Sequence, residues 1–388
     1  MKKLRYYATV AFSLILVACS GHGAGSSDAA EEDVAYSGLK RQKAITLPTL
    51  EYVTSFPQTM QLREPDPFES EILGALDLVV HDSILYIADR GGGALITGVD
   101  KRTGETMGAF LHTGNGPGEM MTSVYLGMYT AEEKKGHLVY NLLDTKRNLV
   151  CVDFTQSLKE KHTVMDSTME LGPEPFMYFL FMPDQNAAYG TFVKRSMDGF
   201  DRFVHGPTGR KTIPAMDVLN EGCIQKKNDG FLFNIVGVHA GYNMHLSRIV
   251  EASIYLNTIH LYGIKDAFGK TLCLGRRLTD VSSIEKGGFQ NMRQQALMLK
   301  TYPDFLAVLS DDAVRAGQKR PGQSILTFDW DGNPIARFIL DREISGFDFD
   351  VYSGELFVLD PEEKIWTYPL QSDSSCFTSG RRFEMIGN

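Results

Sequence analysis

A short run of strand-forming residues closed by an aspartate recurs along this chain, and that recurrence limits its fold more than any other feature. Ile84-Leu85-Tyr86-Ile87-Ala88-Asp89 is followed by a glycine-rich turn, a second run from Ala94 to Val99, the polar turn Asp100-Lys101-Arg102-Thr103-Gly104, and a third run. About fifty residues on, His137-Leu138-Val139-Tyr140-Asn141-Leu142-Leu143-Asp144 precedes Asn148 to Val152 and then Asp153. Glu355-Leu356-Phe357-Val358-Leu359-Asp360 precedes a turn and Lys364 to Tyr368, and Ser324 to Asn333 repeats the later half of the unit. Each unit reads as an antiparallel meander.

β-Branched and aromatic residues dominate these runs, Gly, Asp and Asn separate them, and no long segment keeps a helical period, so the fold class is all-β. Meanders at this interval are what a β-propeller requires, each four-stranded blade packing its faces on its neighbours around a central channel. Blades are placed near 70–119, 120–166, 173–215, 227–280, 297–342 and 343–370, which makes six. The run Ala44 to Phe56 is expected to give a strand to the last blade, because an open ring leaves two unpaired sheet edges. Seven blades, or two unequal β domains, are the alternatives, since Gly172 to Leu219 and the polar stretch Thr279 to Gln295 are poorly resolved into meanders.

The amino terminus has the three parts of an export signal: a basic start (Lys2, Lys3, Arg5), an uncharged run from Tyr6 to Val17, and a small residue before the cut. That run is about a dozen residues, against about 20 for a helix crossing a bilayer. The boundary Leu16-Val17-Ala18-Cys19-Ser20 resembles the lipobox of bacterial lipoproteins, which implies cleavage after residue 18 and acylation of Cys19. Stable anchoring takes two or more acyl chains. Ser20, in place of an aspartate, favours the outer membrane by analogy with sorting in enteric bacteria. The stretch Gly21 to Asp33 is small, polar and then acidic, the composition of a flexible tether, which is placed over residues 19–42, and residues 371–388 are read as a tail or closing segment.

At 43% hydrophobic, the remainder is long enough for well-filled cores. The formal charge of −9 and the lack of a Lys/Arg cluster argue against nucleic acid as the main partner. Cys151, Cys223, Cys273 and Cys376 match no zinc spacing, and their pairing is left open between disulfides and free thiols.

The segment His112-Thr113-Gly114-Asn115-Gly116-Pro117-Gly118-Glu119-Met120, with Asp89-Arg90 and the turn Asp100 to Gly104 before it, resembles the first blade of the TolB-like six-bladed β-propeller lipoproteins of Bacteroidetes. The resemblance implies a fold and an export route and no particular reaction. The residues themselves give Gly114, Gly116, Pro117, Gly118 and Glu119 a structural job as an inter-blade turn, in which the glycines permit positive φ, Pro117 fixes the turn, and Glu119 accepts hydrogen bonds from free amides.

No Gly-x-Ser-x-Gly elbow occurs. His239 and His245 lie six apart and match no zincin spacing, and Asp329-Trp330-Asp331-Gly332-Asn333 reads as a hairpin turn and not as a calcium loop. Asp89, Asp144 and Asp360 recur after a strand; they either cap their turns or gather at the channel as ligands, with calcium as the ion implied. Two functions follow. The first is a lipid-anchored propeller, at the outer membrane and facing the periplasm or the cell surface, that binds or scaffolds a protein or glycan partner without a cofactor. The alternative is a metal-dependent hydrolase of the lactonase type with acids at the channel.

Overall fold

The middle strands of each repeat are covered on both faces, which is why they stand in the sequence as unbroken apolar runs and not as an alternating pattern. Ile84–Asp89, Ala94–Asp100 and Thr258–Gly263 are almost wholly buried. The computed structural model describes residues 44–370, apart from 71, 73, 91–92, 122–123, 125, 127–129, 145–147, 171–177, 195–198, 223–234, 280–293 and 312–322. The described residues form six small sheets of four or five strands, arranged as a six-bladed β-propeller. The expected signal peptide, tether and tail, with Cys19, Cys223, Cys376 and most of Thr279 to Gln295, lie outside the described residues.

Numbered by the order of their first strands, the blades begin at Ala75–His81, Thr130–Lys134, Tyr178–Met182, Val238–Asn243, Ala296–Thr301 and Gly346–Asp350. These first strands touch one another from blade to blade: Gly346–Asp350 lies on Ala75–His81, and Val238–Asn243 lies on Ala296–Thr301 and on Tyr178–Met182. They therefore form the inner wall of the ring, and each blade runs outward from them by antiparallel pairing.

Ring closure differs from the expectation. The stretch from Ala44 to Phe56 does not join the last blade: its strand Thr49–Val53 pairs in parallel with Gly269–Leu274, the outer strand of the fourth. The chain then lays Gln58–Leu62 in parallel on Pro334–Leu340 of the fifth blade, and only Asp66–Phe68 reaches the sixth, where it pairs antiparallel with Ile365–Pro369 as the missing fourth strand. The physical reason is the one anticipated, an unpaired edge, but three blades present such edges in succession and the amino-terminal segment covers all of them. Leu47, fully buried, fixes the start of this belt by donating its amide to Thr271 Oγ1 at 2.8 Å.

Among the described residues two seven-residue helices interrupt the strands, α1 (Phe154–Glu160) and α2 (Pro214–Asn220). Asp153 caps α1 by accepting from the Gln156 amide, and Pro214 opens α2 where its missing N–H has no helical partner to lose. α1 delays the last strand of the second blade to Met165–Glu170, past the boundary expected at 166. It also wedges Leu158 between the first two blades, against the cross-strand neighbours Gly98 and Gly108: a Cβ added at Gly98 would lie 2.7 Å from Leu158 Cδ2. Phe154 stacks on Tyr140 at 4.7 Å and meets Phe110 edge-on at 5.1 Å in the same seam.

Every seam between neighbouring blades has an apolar cluster of this kind. The fifth–sixth seam is built on Phe338, Phe347 and Phe349, the fourth–fifth on Leu261, Leu306 and Phe328, and the third–fourth on Tyr189, Ile249 and Tyr262. Among the described residues the second–third seam is thinner, with Leu149 and Ala188 buried beneath Leu143, Met169 and Phe181.

Candidate functional site

Charges buried at the seams are the first place to look for chemistry, since an ionised group out of water is retained only where it is paired or used. Lys300, on the first strand of the fifth blade, sends its ammonium to Asp77 Oδ1 of the first blade at 3.2 Å and to the Leu78 carbonyl at 3.0 Å. Asp77 is 1% exposed and Lys300 7%. Between them, on the inner strand of the sixth blade, Asp348 accepts from Tyr302 Oη at 2.5 Å and from the Val80 amide at 2.7 Å. Burial is the main influence on Asp348 and pushes its carboxyl up to about 6, against the pull of Lys300 and the two donors and with a further push from Asp77. One rim further, Lys101 pairs with Asp350 at 2.5 Å; burial opposes ionisation there, but Lys101 and Ser353 hold that carboxyl below its usual range.

A second buried group sits in the third–fourth seam. Glu251, with no exposed surface, takes Arg202 Nε at 2.8 and 2.9 Å and the hydroxyls of Tyr189 and Tyr262 at 2.8 and 2.5 Å. Burial works against its charge, but Arg202 first, then His260 and the Tyr262 hydroxyl, keep the carboxyl below the ordinary glutamate range. Burial also pushes His260 down to about 4. Each of these acids is thus engaged by a group from another blade, or bonded across its seam, and the arrangement ties blades together.

The sequence-derived acids lie elsewhere. Asp144 accepts from the Asn148 amide at 2.7 Å and from its side-chain Nδ2 at 3.1 Å. Asp360 accepts from the amides of Glu362 and Lys364 and from Trp366 Nε1, and Asp329 repeats the pattern with Asp331 and Asn333. Asp89 ends the buried second strand of the first blade. Among the described residues no three His, Cys, Asp or Glu side chains come together as a metal would need, so Asp89, Asp144 and Asp360 do not form a ligand set there. His239 lies on the inner strand of the fourth blade, pushed down to about 4 by burial, while His245 sits in the turn that follows that strand. Cys151 and Cys273 form no disulfide with one another, and the Cys273 thiol is pushed up by burial.

The glycine segment closes the first blade. Gly116 donates to Glu119 Oε2 at 2.7 Å, Gly114 donates to the Met120 carbonyl, and Gly118 has φ +78°. Glu119–Met120 returns to pair in parallel with the end of Thr106–Thr113. Thr163 of the second blade then clamps the corner, donating to the Gly118 carbonyl and accepting from the Leu111 amide, both at 2.9 Å.

What faces solvent is different in kind. Turns joining first to second strands share one rim of the ring, and three of the large exposed apolar side chains are on them: Leu246 in the fourth blade, at 45% exposure, and Val351 and Tyr352 in the sixth, at 40% and 76%. Sequence reasoning missed Asp77, Lys300, Asp348, Glu251 and Tyr352. For the first four the signal was present, a single charge set inside an apolar strand, as in Leu76-Asp77-Leu78-Val79 and Ile249-Val250-Glu251-Ala252.

Fold and seams together define a six-bladed propeller whose buried charges hold the ring. No family model matches the chain, and no curated protein matches it. Among solved structures, Raptor from Chaetomium thermophilum aligns with a TM-score of 0.45 at 13% identity, over 81% of this chain and 29% of the Raptor chain. A member of the DUF4221 family from Bacteroides vulgatus aligns with a TM-score of 0.44 at 11% identity, over 80% of this chain and 95% of its own. The chain therefore spans less than a third of Raptor. Neither likeness supplies a function.

Proposed function

We propose that this chain is an exported lipoprotein of the TolB-like kind, acylated on Cys19 and held at the outer membrane, whose propeller binds or scaffolds a protein or glycan partner in the periplasm or at the cell surface. The observation that carries the binding reading is the rim itself: Leu246, Val351 and Tyr352 are large apolar side chains left in water on turns of one face, where Tyr in particular anchors interfaces. The buried acids support it, since their bonding capacity is taken up by Lys300, Tyr302, Arg202 and backbone amides. For the anchor, the support is the sequence Leu16-Val17-Ala18-Cys19 alone.

Photo-crosslinking in intact cells tests the binding reading. A benzophenone residue replacing Leu246 is expected to trap a discrete partner, whereas the same probe replacing Met121, 50% exposed beyond the other end of the first blade, is expected not to. Equal products from both positions, or none from Leu246, contradict a binding role for this rim. Cys19→Ala tests the anchor: the protein should leave the membrane fraction or accumulate as an unprocessed precursor, and unchanged attachment refutes lipidation.

A further inference from the structure

Two arginines of this chain are held in the same way, with the guanidinium carbon over an aromatic ring and a nitrogen paired with a carboxylate. Arg248 lies 3.9 Å from the Phe268 ring centre and 2.6 Å from Asp331. Arg342 lies 4.0 Å from the Trp366 ring centre and 3.2 Å from Asp341. Ring quadrupole and carboxylate act together on a planar cation that water hydrates weakly.

On the rim, a ring and carboxylates occur with no arginine over the ring among the described residues. Tyr352 stands 76% exposed in the first turn of the sixth blade, beside Val351. That turn is fixed to the first blade by the 2.5 Å pair of Asp350 with Lys101, and the first turn of the first blade is linked to that of the second by His81 Nε2, 3.5 Å from the Gly136 carbonyl. Three neighbouring turns are thus brought side by side. Asp82 is on the second of them and Glu133 stands near the end of the strand that leads into the third, both exposed and without an ion-pair partner among the described residues. After partial burial, the charges of Glu133, Asp350 and Asp82 are what push the Tyr352 phenol up, so all three carboxylates act at this ring. Asp350 is neutralised by Lys101; Asp82 and Glu133 are not. Lys134, which ends that strand, and Lys135, in the turn after it, are exposed and close neither pair.

We infer that the first turns of blades six, one and two form a docking surface for an arginine side chain of a partner protein, its guanidinium lying on Tyr352 and pairing with Asp82 and Glu133. This rests on the binding reading and deepens it, choosing a protein over a glycan. Val351 receives the aliphatic stem, as such stems cover apolar surface while the charged head stays wet.

The test is a fluorescence-anisotropy titration of the purified full chain with a labelled Gly/Ser hexapeptide carrying two arginines, and with its twin in which neutral citrulline replaces both. The arginine peptide is expected to bind roughly tenfold more tightly, the sum of an exposed cation–π contact and exposed ion pairs. Tyr352→Ala should weaken it about two- to fivefold. The double variant Asp82→Asn/Glu133→Gln should reduce the preference over citrulline and flatten the dependence on salt. All three positions are exposed, so each variant should melt like the parent. Equal binding of the two peptides, indifference to Tyr352→Ala and to the double variant, or no binding at millimolar peptide overturns the inference. If Leu246 still crosslinks a discrete partner in that event, the binding role stands and only the arginine surface is lost; if it does not, both fail.

Discussion

Lys300 of the fifth blade reaches past the inner strand of the sixth to pair with Asp77 of the first, 3.2 Å away, so one buried ion pair spans the place where the ring is closed. Three blades meet there. The sixth depends on the amino-terminal segment for its fourth strand, with Asp66–Phe68 completing Gly346–Asp350, Glu355–Leu359 and Ile365–Pro369.

Removing one partner of such a pair leaves the other buried without the charge that faces it across the seam. Lys300→Met is expected to cost about 3–5 kcal/mol in urea unfolding, and Lys300→Met/Asp77→Asn to recover a large part of that loss, because the uncompensated carboxylate is gone. A single variant as stable as the parent would remove the pair from any part in closure.

Asp348 gives stability a pH dependence of known sign. Its carboxyl is raised from 3.8 to about 6 in the fold, so between those values the folded state holds a proton that the unfolded chain has released. Its contribution is fully present below the unfolded value and is lost as pH rises through about 6. The difference in unfolding free energy between the parent and Asp348→Asn should therefore shift by roughly 2–3 kcal/mol against the parent from pH 4 to pH 7. Glu251 and Asp350, both lowered, lose their stabilisation as pH falls from about their unfolded values downward, in parent and variant alike, so that loss cancels in the difference. A flat difference curve would show that Asp348 ionises normally.

The α1 wedge predicts non-additivity. Leu158→Ala should cost about 2–5 kcal/mol by opening a cavity between the first two blades. Gly98→Ala should also destabilise the parent, since its new Cβ meets Leu158 at 2.7 Å. In the Leu158→Ala background the same change should cost little or stabilise, and strict additivity in melting experiments would contradict this contact.

In the glycine turn the two sites should separate. Gly118 has φ +78°, a conformation that β-branched residues strongly resist, and its Cβ would press on Thr163 at 3.1 Å. Gly116 needs no such φ, and a Cβ there meets the movable Glu119 carboxylate at 3.0 Å. Gly118→Val should lower the melting temperature clearly more than Gly116→Val; the reverse order would misplace the strain.

The legible part of this fold was the double-sided burial of runs such as Ile84–Asp89 and Glu355–Leu359, because burial on both faces writes itself into composition. What sequence could not assign was partnership at distance. Ala44 to Phe56 reads as strand, yet which of three open edges it covers depends on blade geometry, and the fourth won. The turn aspartates were visible because Asp144 and Asp360 bond within four to six residues, while Asp77 and Lys300, 223 residues apart, were not. Tyr352 lies in a turn like any other until three turns are set side by side.

Metal analysis of the purified protein, together with its thermal melting in calcium, separates the proposed binding ring from one that carries out metal-assisted catalysis. For the binding ring no stoichiometric ion is expected, and calcium should leave the melting temperature unchanged. A stoichiometric ion with a large gain in melting temperature would contradict it and make the propeller a metal-dependent one.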